Sequence, residues 1–521
     1  MADRPSTGVK QTLGLTGATM NAMALIAPGA FLWTTFQLQA AATAPDGTTS
    51  VASDMWAGLA FALGLCFLTA FSYAELARIY PEAGFGSAYY FAEKAFIDRE
   101  DKRHHKWARL AKLVTGWAAH LFYWVYPGVM LAFGATLVGY IYQQFTGDTL
   151  SNTTLTIIAC LFGVGTGYIA FRGITGSTMT AIIINVVQLV TLVGFSILAI
   201  LYRLHNPDGA TQWAFSNGID VIMPHSFQGV MVQATIAILV LVGFESCTAL
   251  AAETKDPHRN IPRAVILSLV VQGLFAYFFE YFAANYMVSE KLTGTVTAAD
   301  GTTSAVTGMA AAAASSAPIG DMSILVGNAI LGGIGFGLMI TIAVTVAIAI
   351  FGTTLSCLNT AVRVSYAMAQ DDEMPEFLGV LHGRFATPHR ALWVLVGVSF
   401  VIAAIGVQSV VGLTGITLAS NLGTFVLYGL TCVWTIVAFV ERHDRHLVRH
   451  LSVPVLGLIA NVMMISAILY LAIIGSADTL HEAEICMMIA GAWALVTILY
   501  VVLTSRRKGR SVVGAPVKRT A

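Results

Sequence analysis

Long apolar segments recur along the chain from about Thr16 to about Thr504, and only short polar stretches separate them. Several are long enough, at 1.5 Å per helical residue, to cross the roughly 30 Å hydrocarbon layer of a bilayer. We count about twelve, numbered here as spans 1 to 12. The 521 residues are 56% hydrophobic and 11% charged, a balance foreign to soluble domains of this length. The sequence therefore predicts an all-α integral membrane protein.

The predicted spans cover residues 16–40, 55–78, 114–145, 153–171, 178–203, 228–250, 264–288, 323–352, 392–407, 410–440, 453–474 and 483–504. An even number of spans places both termini on one side of the membrane. With that side in the cytoplasm, only Arg203 and Lys291 of the 28 Lys and Arg residues lie outside. Since Lys and Arg concentrate in cytoplasmic loops, we expect cytoplasmic termini in a cytoplasmic membrane.

Two spans are interrupted near their middle. Pro28 and Gly29 lie about halfway along span 1, and Gly243 lies at a comparable depth in span 6. Non-helical backbone at membrane depth survives only where it is buried in protein or lines a cavity. Interrupted spans at corresponding positions of two halves are typical of transporters with inverted repeats.

Three stretches resemble the amino acid-polyamine-organocation permeases. They are GFESCTALAAETKDPHRNIPRA from Gly243, YAELARIYPEAGFGSAYYFAEKAF from Tyr73, and LNTAVRVSYAMAQDDEMPEFLGVLHGRFATPH from Leu358. The resemblance covers nearly the whole chain. It implies about twelve spans with a LeuT-like five-plus-five inverted repeat and discontinuous spans 1 and 6.

This resemblance also divides the chain. A cytoplasmic tail (1–15) precedes the first repeat (16–203, spans 1 to 5) and the second repeat (204–440, spans 6 to 10). Spans 11 and 12 (441–504) and a basic cytoplasmic tail (505–521) follow. The segment from about Thr293 to Ala317 is rich in Ala, Thr, Ser and Gly, which predicts a flexible outer loop.

The substrate site implied by the resemblance lies between the two breaks. Backbone amides that open the second half of span 1 would receive a carboxylate, because a helix N-terminus offers unpaired donors. Carbonyls of the span 6 break would face the ammonium group, and Phe244 would cover the substrate unless it simply packs. The candidate residues are Ala27, Pro28, Gly29, Ala30, Phe31, Leu241, Val242, Gly243, Phe244 and Glu245.

Ionisable groups within spans are costly enough to be candidates for function. The Glu245 carboxylate has two possible roles, facing the cavity or accepting from backbone donors that the break frees. Glu280, among aromatic residues of span 7, is a coupling candidate or a packing residue, and Ser356 and Asn359 in span 8 are candidates for an ion site. Gln188 occupies the span 5 position where proton-driven relatives often carry lysine, and its amide cannot exchange a proton near neutral pH.

These features predict a secondary transporter of amino acids that works by alternating access. The alternatives are an importer of polyamines or small amines, an amino acid exchanger, and a nutrient sensor with a transporter fold. A diamine stays open because Pro28 lacks the N–H that most relatives' glycine would offer to a carboxylate. Proton or sodium coupling also stays open, as does the oligomeric state.

Other classes of protein lack support in the sequence. No nucleophile-elbow, metalloprotease or ATP-binding loop pattern is present, so we expect neither an enzyme nor a cofactor. Zero formal net charge gives no basic stripe for nucleic acid. The run GGIGFG from Gly332 lacks dinucleotide-loop spacing, and we expect it to serve close helix packing.

Overall fold

A computed structural model gives the architecture of the chain. It describes residues 13–26, 28–81, 87–99, 102–173, 178–205, 215–297, 302–385, 387–509 and 511–512. Nearly all of this structure is helical, and its only paired strands form one short hairpin within these ranges.

The described residues of the first half contain nine α-helices, of which the first begins at Leu15. They are α1 (Leu15–Ile26), α2 (Pro28–Ala41), α3 (Met55–Ile79), α4 (Ala88–Ile97), α5 (Ala108–Thr146), α6 (Asn152–Arg172), α7 (Thr178–His205), α8 (Phe215–Ile222) and α9 (Phe227–Ala237). The second half contains α10 (Pro257–Ser268), α11 (Phe278–Met287), strands β1 (Thr293–Thr297) and β2 (Thr303–Thr307), α12 (Gly308–Ala314), α13 (Pro318–Ile330), α14 (Gly335–Gln370), α15 (His389–Gly406), α16 (Val410–Phe439), α17 (Val453–Ile474) and α18 (Ala477–Lys508).

Eleven helical segments of the described chain are long and apolar enough to cross a membrane, and they correspond to predicted spans 2 to 12. Two shorter helices, α1 and α2, occupy the predicted span 1 and flank residue 27, which lies outside the described residues. The prediction of an all-α membrane protein with about twelve spans is confirmed.

Span 6 is interrupted where its sequence contains Gly243. The α-helix α9 ends at Ala237 and gives way to a 3₁₀ turn over Ile238–Val240. A turn follows, and a second 3₁₀ segment covers Phe244–Glu253. Gly243 has φ +120°, a conformation that residues with a Cβ rarely adopt. The glycine therefore allows the chain to turn at this depth.

The helices differ in how much of their surface faces other helices. In α5 the most apolar stretch is 83% buried, and this helix packs against α14, α15 and α16. In α18 the corresponding stretch is only 17% buried. Apolar side chains that are exposed on such outer helices face lipid in a membrane. The arrangement places α5 in the middle of the bundle and α17 and α18 at its edge.

The structure corrects one loop expectation and part of another. The predicted flexible loop between about 293 and 317 contains an antiparallel hairpin of β1 and β2, followed by α12. In the run from Gly332, Gly332 and Gly333 adopt positive φ values of 68° and 95° and make a turn before α14. Gly335 does serve close helix packing, because a Cβ atom added there would clash with the carbonyl oxygen of Ile324 on α13. Span 8 therefore begins at Gly335, twelve residues later than predicted.

Candidate functional site

The interruptions of spans 1 and 6 lie against each other. A Cβ atom added to Gly243 would lie 2.9 Å from the Cβ atom of Leu25 and 3.0 Å from the amide nitrogen of Ile26. Such close approach is open only to glycine, because it leaves no room for a side chain. The structure therefore brings together two positions that are 218 residues apart in the sequence.

Span 1 has a carbonyl that lacks its usual helical donor. The carbonyl of Ala24 would accept from the amide of residue 28 in a continuous helix, but Pro28 has no N–H. The hydroxyl of Thr353, which lies on α14, donates to this carbonyl at 3.3 Å. A side chain from span 8 thus supplies the hydrogen bond that Pro28 removes.

Other backbone carbonyls of α1 also receive side-chain donors. Asn185 Nδ2 donates to Met20 at 3.1 Å, Gln272 Nε2 to Met23 at 2.9 Å, and Tyr277 Oη to Ile26 at 3.2 Å. Gln272 and Tyr277 belong to a π-helical stretch, Leu269–Tyr277, in the middle of span 7. A π-helical turn changes the direction of side chains relative to an α-helix. Spans 5, 7 and 8 therefore all contact α1, the first half of span 1, through neutral donors.

Glu245 organises the break in span 6. Its carboxylate accepts from Tyr123 Oη at 2.9 Å, from Tyr428 Oη at 2.7 Å and from the amide of Gly243 at 3.1 Å. The side chain is fully buried. Of the two roles that the sequence left open for this carboxylate, acceptance from a freed backbone donor is the one that the structure contains.

Phe244 is enclosed by aromatic rings. Its ring centroid lies 6.1 Å from that of Tyr73 in an edge-on arrangement and 5.1 Å from that of Tyr428. The side chain is fully buried, as are Leu241 and Val242 next to it. The side chains around the break in span 6 are thus buried against other side chains in this conformation.

The remaining candidates of span 1 are described only in part. Ala27 lies outside the described residues. Pro28 is the first residue of α2, where its fixed φ is compatible with a helix start, and Gly29, Ala30 and Phe31 follow in the first turn. The backbone therefore has the predicted half-helix beginning at Pro28.

The coupling candidates occupy different surroundings. Gln188 is buried on α7. Glu280 is 1% exposed, and neither of its carboxylate oxygens has a hydrogen-bond partner among the described residues. Ser356 and Asn359 are half-buried on α14, whereas Thr353 contacts span 1. The span 8 side chain that contacts the break in span 1 is therefore Thr353, and not the predicted Ser356 or Asn359.

Sequence reasoning missed several residues that contact the two breaks. They are Tyr123, Asn185, Gln272, Tyr277, Thr353 and Tyr428. Five of them are polar side chains within a predicted span, and Thr353 lies one residue beyond the predicted end of span 8, so this signal could have made them candidates. Their partners could not be assigned, because many other polar residues of the spans look alike in the sequence.

A helical membrane bundle with two central interruptions in contact, satisfied by polar side chains from neighbouring spans, is the architecture of a membrane transporter. The sequence profile of the family described as "Amino acid permease" matches residues 11–504. The chain belongs to this family.

Several relatives are about one quarter identical to this chain over the residues that align. The low-affinity putrescine importer PlaP of Escherichia coli (strain K12) is 26% identical over 53% of this chain and 54% of its own length. The methylthioribose transporter of Bacillus subtilis (strain 168) is 25% identical over 75% of this chain and 74% of its own. The branched-chain amino acid permease BcaP of the same organism is 25% identical over 73% of this chain and 72% of its own.

The match to the putrescine importer thus spans about half of that protein's length. The three names cover an amine, a thiosugar and amino acids. Membership of the family therefore does not identify the molecule that this chain carries.

Proposed function

We propose that this protein is a secondary active transporter that moves amino acids across the cytoplasmic membrane by alternating access. Spans 1 to 5 and 6 to 10 would form inverted repeats, with both termini in the cytoplasm. The substrate would bind between the start of α2 and the break after α9, and movement of the spans around this point would expose it to each side in turn.

The contact between Gly243 and the end of α1 carries this proposal. The first turn of α2 begins two residues after Ile26, so it would lie at about the depth of the turn of span 6. Amides at a helix N-terminus favour a carboxylate, and carbonyls of an interrupted helix favour an ammonium group. An α-amino acid carries both groups on one carbon atom, so it matches two such surfaces that lie side by side.

Glu245 has a supporting role in this scheme. Its carboxylate is engaged by two tyrosine hydroxyls and one amide, so it holds the turn of span 6 rather than standing free for an ammonium group. The substrate ammonium would then rely on backbone carbonyls. Gln188 would not carry a proton, so coupling would run through another group, or the protein would exchange one substrate for another.

Uptake into proteoliposomes tests the proposal. Radiolabelled leucine uptake by the purified protein would be challenged with two pairs, leucine against isoamylamine and ornithine against putrescine, each amine being the decarboxylated form of its amino acid. We expect inhibition by the amino acids and little by the amines. Equal or stronger inhibition by the amines would exclude capture of a carboxylate.

One observation favours a second candidate, an importer of amines. Glu280 is a buried carboxylate without a hydrogen-bond partner among the described residues, and a cationic group would provide one. Burying a charge without a partner is costly, so such a group attracts a cation or a proton. If the substrate is an amine, Glu280→Gln will abolish stabilisation of the purified protein by putrescine, whereas it will leave stabilisation by leucine unchanged if the substrate is an amino acid.

A further inference from the structure

A second surface of the protein lies away from the two breaks, at the end of the bundle where α3 finishes and α10 begins. Here α1, α3, α10 and α17 enclose a groove of about 770 Å³. Most of its lining is apolar and includes Leu15, Phe71 and Leu267, whereas Arg263 and Arg449 lie at its rim. Phe71 and Leu267 are 48% and 39% exposed. The groove is therefore an apolar surface with basic residues at its edge.

On each of three helical segments that line the groove, a charged residue lies one helical turn from an apolar residue, and the charged residue is always on the same side. Arg263 precedes Leu267 by four residues, and Arg449 precedes Val453 by four, so each arginine lies one helical turn closer to the cytoplasmic end. On α3, which runs the opposite way, Glu75 follows Phe71 by four residues. The polar groups thus form one end of the groove and the apolar side chains the other.

The two arginines carry uncompensated positive charge. Neither guanidinium has an ion pair or hydrogen bond among the described residues. Glu75, the acid of the groove, already accepts from Arg78 at 2.8 Å and from His450 Nε2 at 3.3 Å. The rim of the groove therefore offers two free cations beside an acid that is occupied.

We propose that this groove binds an anionic phospholipid of the cytoplasmic leaflet, with its phosphate between Arg263 and Arg449 and its acyl chains on Phe71, Leu267 and Val453. Basic pockets between spans on the cytoplasmic side are suited to anionic headgroups. The apolar wall excludes free phosphate as the preferred ligand, because a small ion would leave that wall uncovered. The lipid would touch α1 and α10. The segments that precede these two helices are joined by a pair of backbone hydrogen bonds between Leu13 and residues 253–255.

The test measures lipid binding to the delipidated full-length protein by native mass spectrometry and by thermal stabilisation in detergent. Phosphatidylglycerol is compared with phosphatidylcholine, whose headgroup has no net charge, and with glycerol 3-phosphate, which has no acyl chains. We expect phosphatidylglycerol to bind more tightly than phosphatidylcholine. Glycerol 3-phosphate should give no stabilisation, and stabilisation equal to that by the lipid would overturn the proposal.

Matched variants separate this groove from general surface attraction. Arg263→Gln with Arg449→Gln should weaken phosphatidylglycerol binding by roughly fivefold per arginine, or ~25-fold together. Arg506→Gln with Arg507→Gln removes the same charge from the exposed end of α18 and should leave binding unchanged. Equal weakening by both pairs, or no preference for phosphatidylglycerol in the unmodified protein, would refute a specific site.

The apolar wall has its own control. Phe71→Ala should reduce the binding of phosphatidylglycerol, whereas Ile473→Ala, which removes an 80% exposed side chain from α17, should not. Because these measurements do not involve transport, they can fail while the proposed function holds, and the reverse is also true. An unchanged affinity in Phe71→Ala would remove the acyl chains from the groove and contradict the proposal.

Discussion

The two interruptions at the centre of the bundle leave opposite kinds of backbone group without a helical hydrogen-bond partner. At the end of α1 the break leaves carbonyl acceptors without donors in the same helix, and neutral side chains from spans 7 and 8 donate to them. In span 6 the break leaves the amide of Gly243, and an acidic side chain accepts from it. The chemistry of each partner thus follows the polarity of the helix end that it satisfies.

The two breaks also differ in how many side chains form hydrogen bonds with their free backbone groups. In span 1 the donors are four side chains from three spans, and each donates to a different carbonyl. In span 6 a single carboxylate joins the amide of Gly243 to Tyr123 of α5 and Tyr428 of α16. We therefore expect changes at span 6 to have larger effects than single changes around span 1.

The largest effect is expected for Glu245→Leu. This change leaves the amide of Gly243 and two buried tyrosine hydroxyls without an acceptor, at a cost on the order of 1–3 kcal/mol for each. Thermal stability of the purified protein should fall strongly and uptake should be lost. Glu245→Gln, whose amide oxygen still accepts, should recover part of the stability, and Glu290→Leu in an exposed loop should have little effect. Equal stability of Glu245→Leu and the native protein would contradict the role of this carboxylate.

Gly243→Ala should have the next largest effect. Alanine would be strained at φ +120°, at about 1–3 kcal/mol, and its Cβ would lie 2.9 Å from that of Leu25. Leu25→Gly in the same protein should relieve the side-chain contact but leave the approach to the amide nitrogen of Ile26 and the backbone strain, so we expect partial recovery in a thermal-stability assay. Complete recovery would show that the backbone conformation costs nothing.

Thr353→Val should have a smaller effect, about 1 kcal/mol, because it removes one hydrogen bond to the Ala24 carbonyl while keeping the shape of the side chain. A double-mutant cycle with Pro28→Ala sharpens this test. Alanine restores the N–H that Pro28 lacks, so Thr353→Val should then cost less. As a control, Ser356→Ala should change stability little, whether residue 28 is proline or alanine. Additive effects of Pro28→Ala and Thr353→Val would show that the Thr353 hydroxyl does not compensate for the N–H that Pro28 lacks.

A pH-dependent effect is expected at Glu373, a buried carboxyl group outside the breaks and after α14. Burial raises its pKa to about 8 from an ordinary 4.5, against the positive charge of Lys112. The folded protein therefore binds this proton more tightly than the unfolded chain, so the resulting stability is fully present below pH 4.5 and is lost as pH rises through 8.

Thermal unfolding between pH 5 and 9 tests this expectation. The decline of the midpoint with rising pH should become shallower in Glu373→Gln, while Glu290→Gln should keep the native slope. A slope unchanged by Glu373→Gln would show that burial at this position does not couple folding to pH. In that case, a buried carboxylate of this protein would affect stability mainly through its hydrogen-bond partners, as Glu245 does, and not through its pKa.

The amino-acid sequence alone determined the class of this protein and the approximate positions of most of its membrane spans. Hydropathy is a local property, and a run of apolar residues must be helical in a bilayer because its backbone groups have no other partners. Pro28 and Gly243 were recognisable for the same reason, since each changes what its own backbone can do. The sequence also pointed to Glu245 as a group that could satisfy freed donors.

Only the tertiary structure decided which residues satisfy the breaks. Thr353 and Ser356 are both small polar residues of span 8, and because they are three positions apart they lie on nearly the same face of α14, about one helical turn from each other. Thr353 is the one that lies at the level of the Ala24 carbonyl and donates to it. The partners of Glu245 come from positions 122 residues before it and 183 residues after it. Hydrogen bonds across such separations depend on how the helices pack and rotate, and that information is shared among all the spans rather than contained in any one of them.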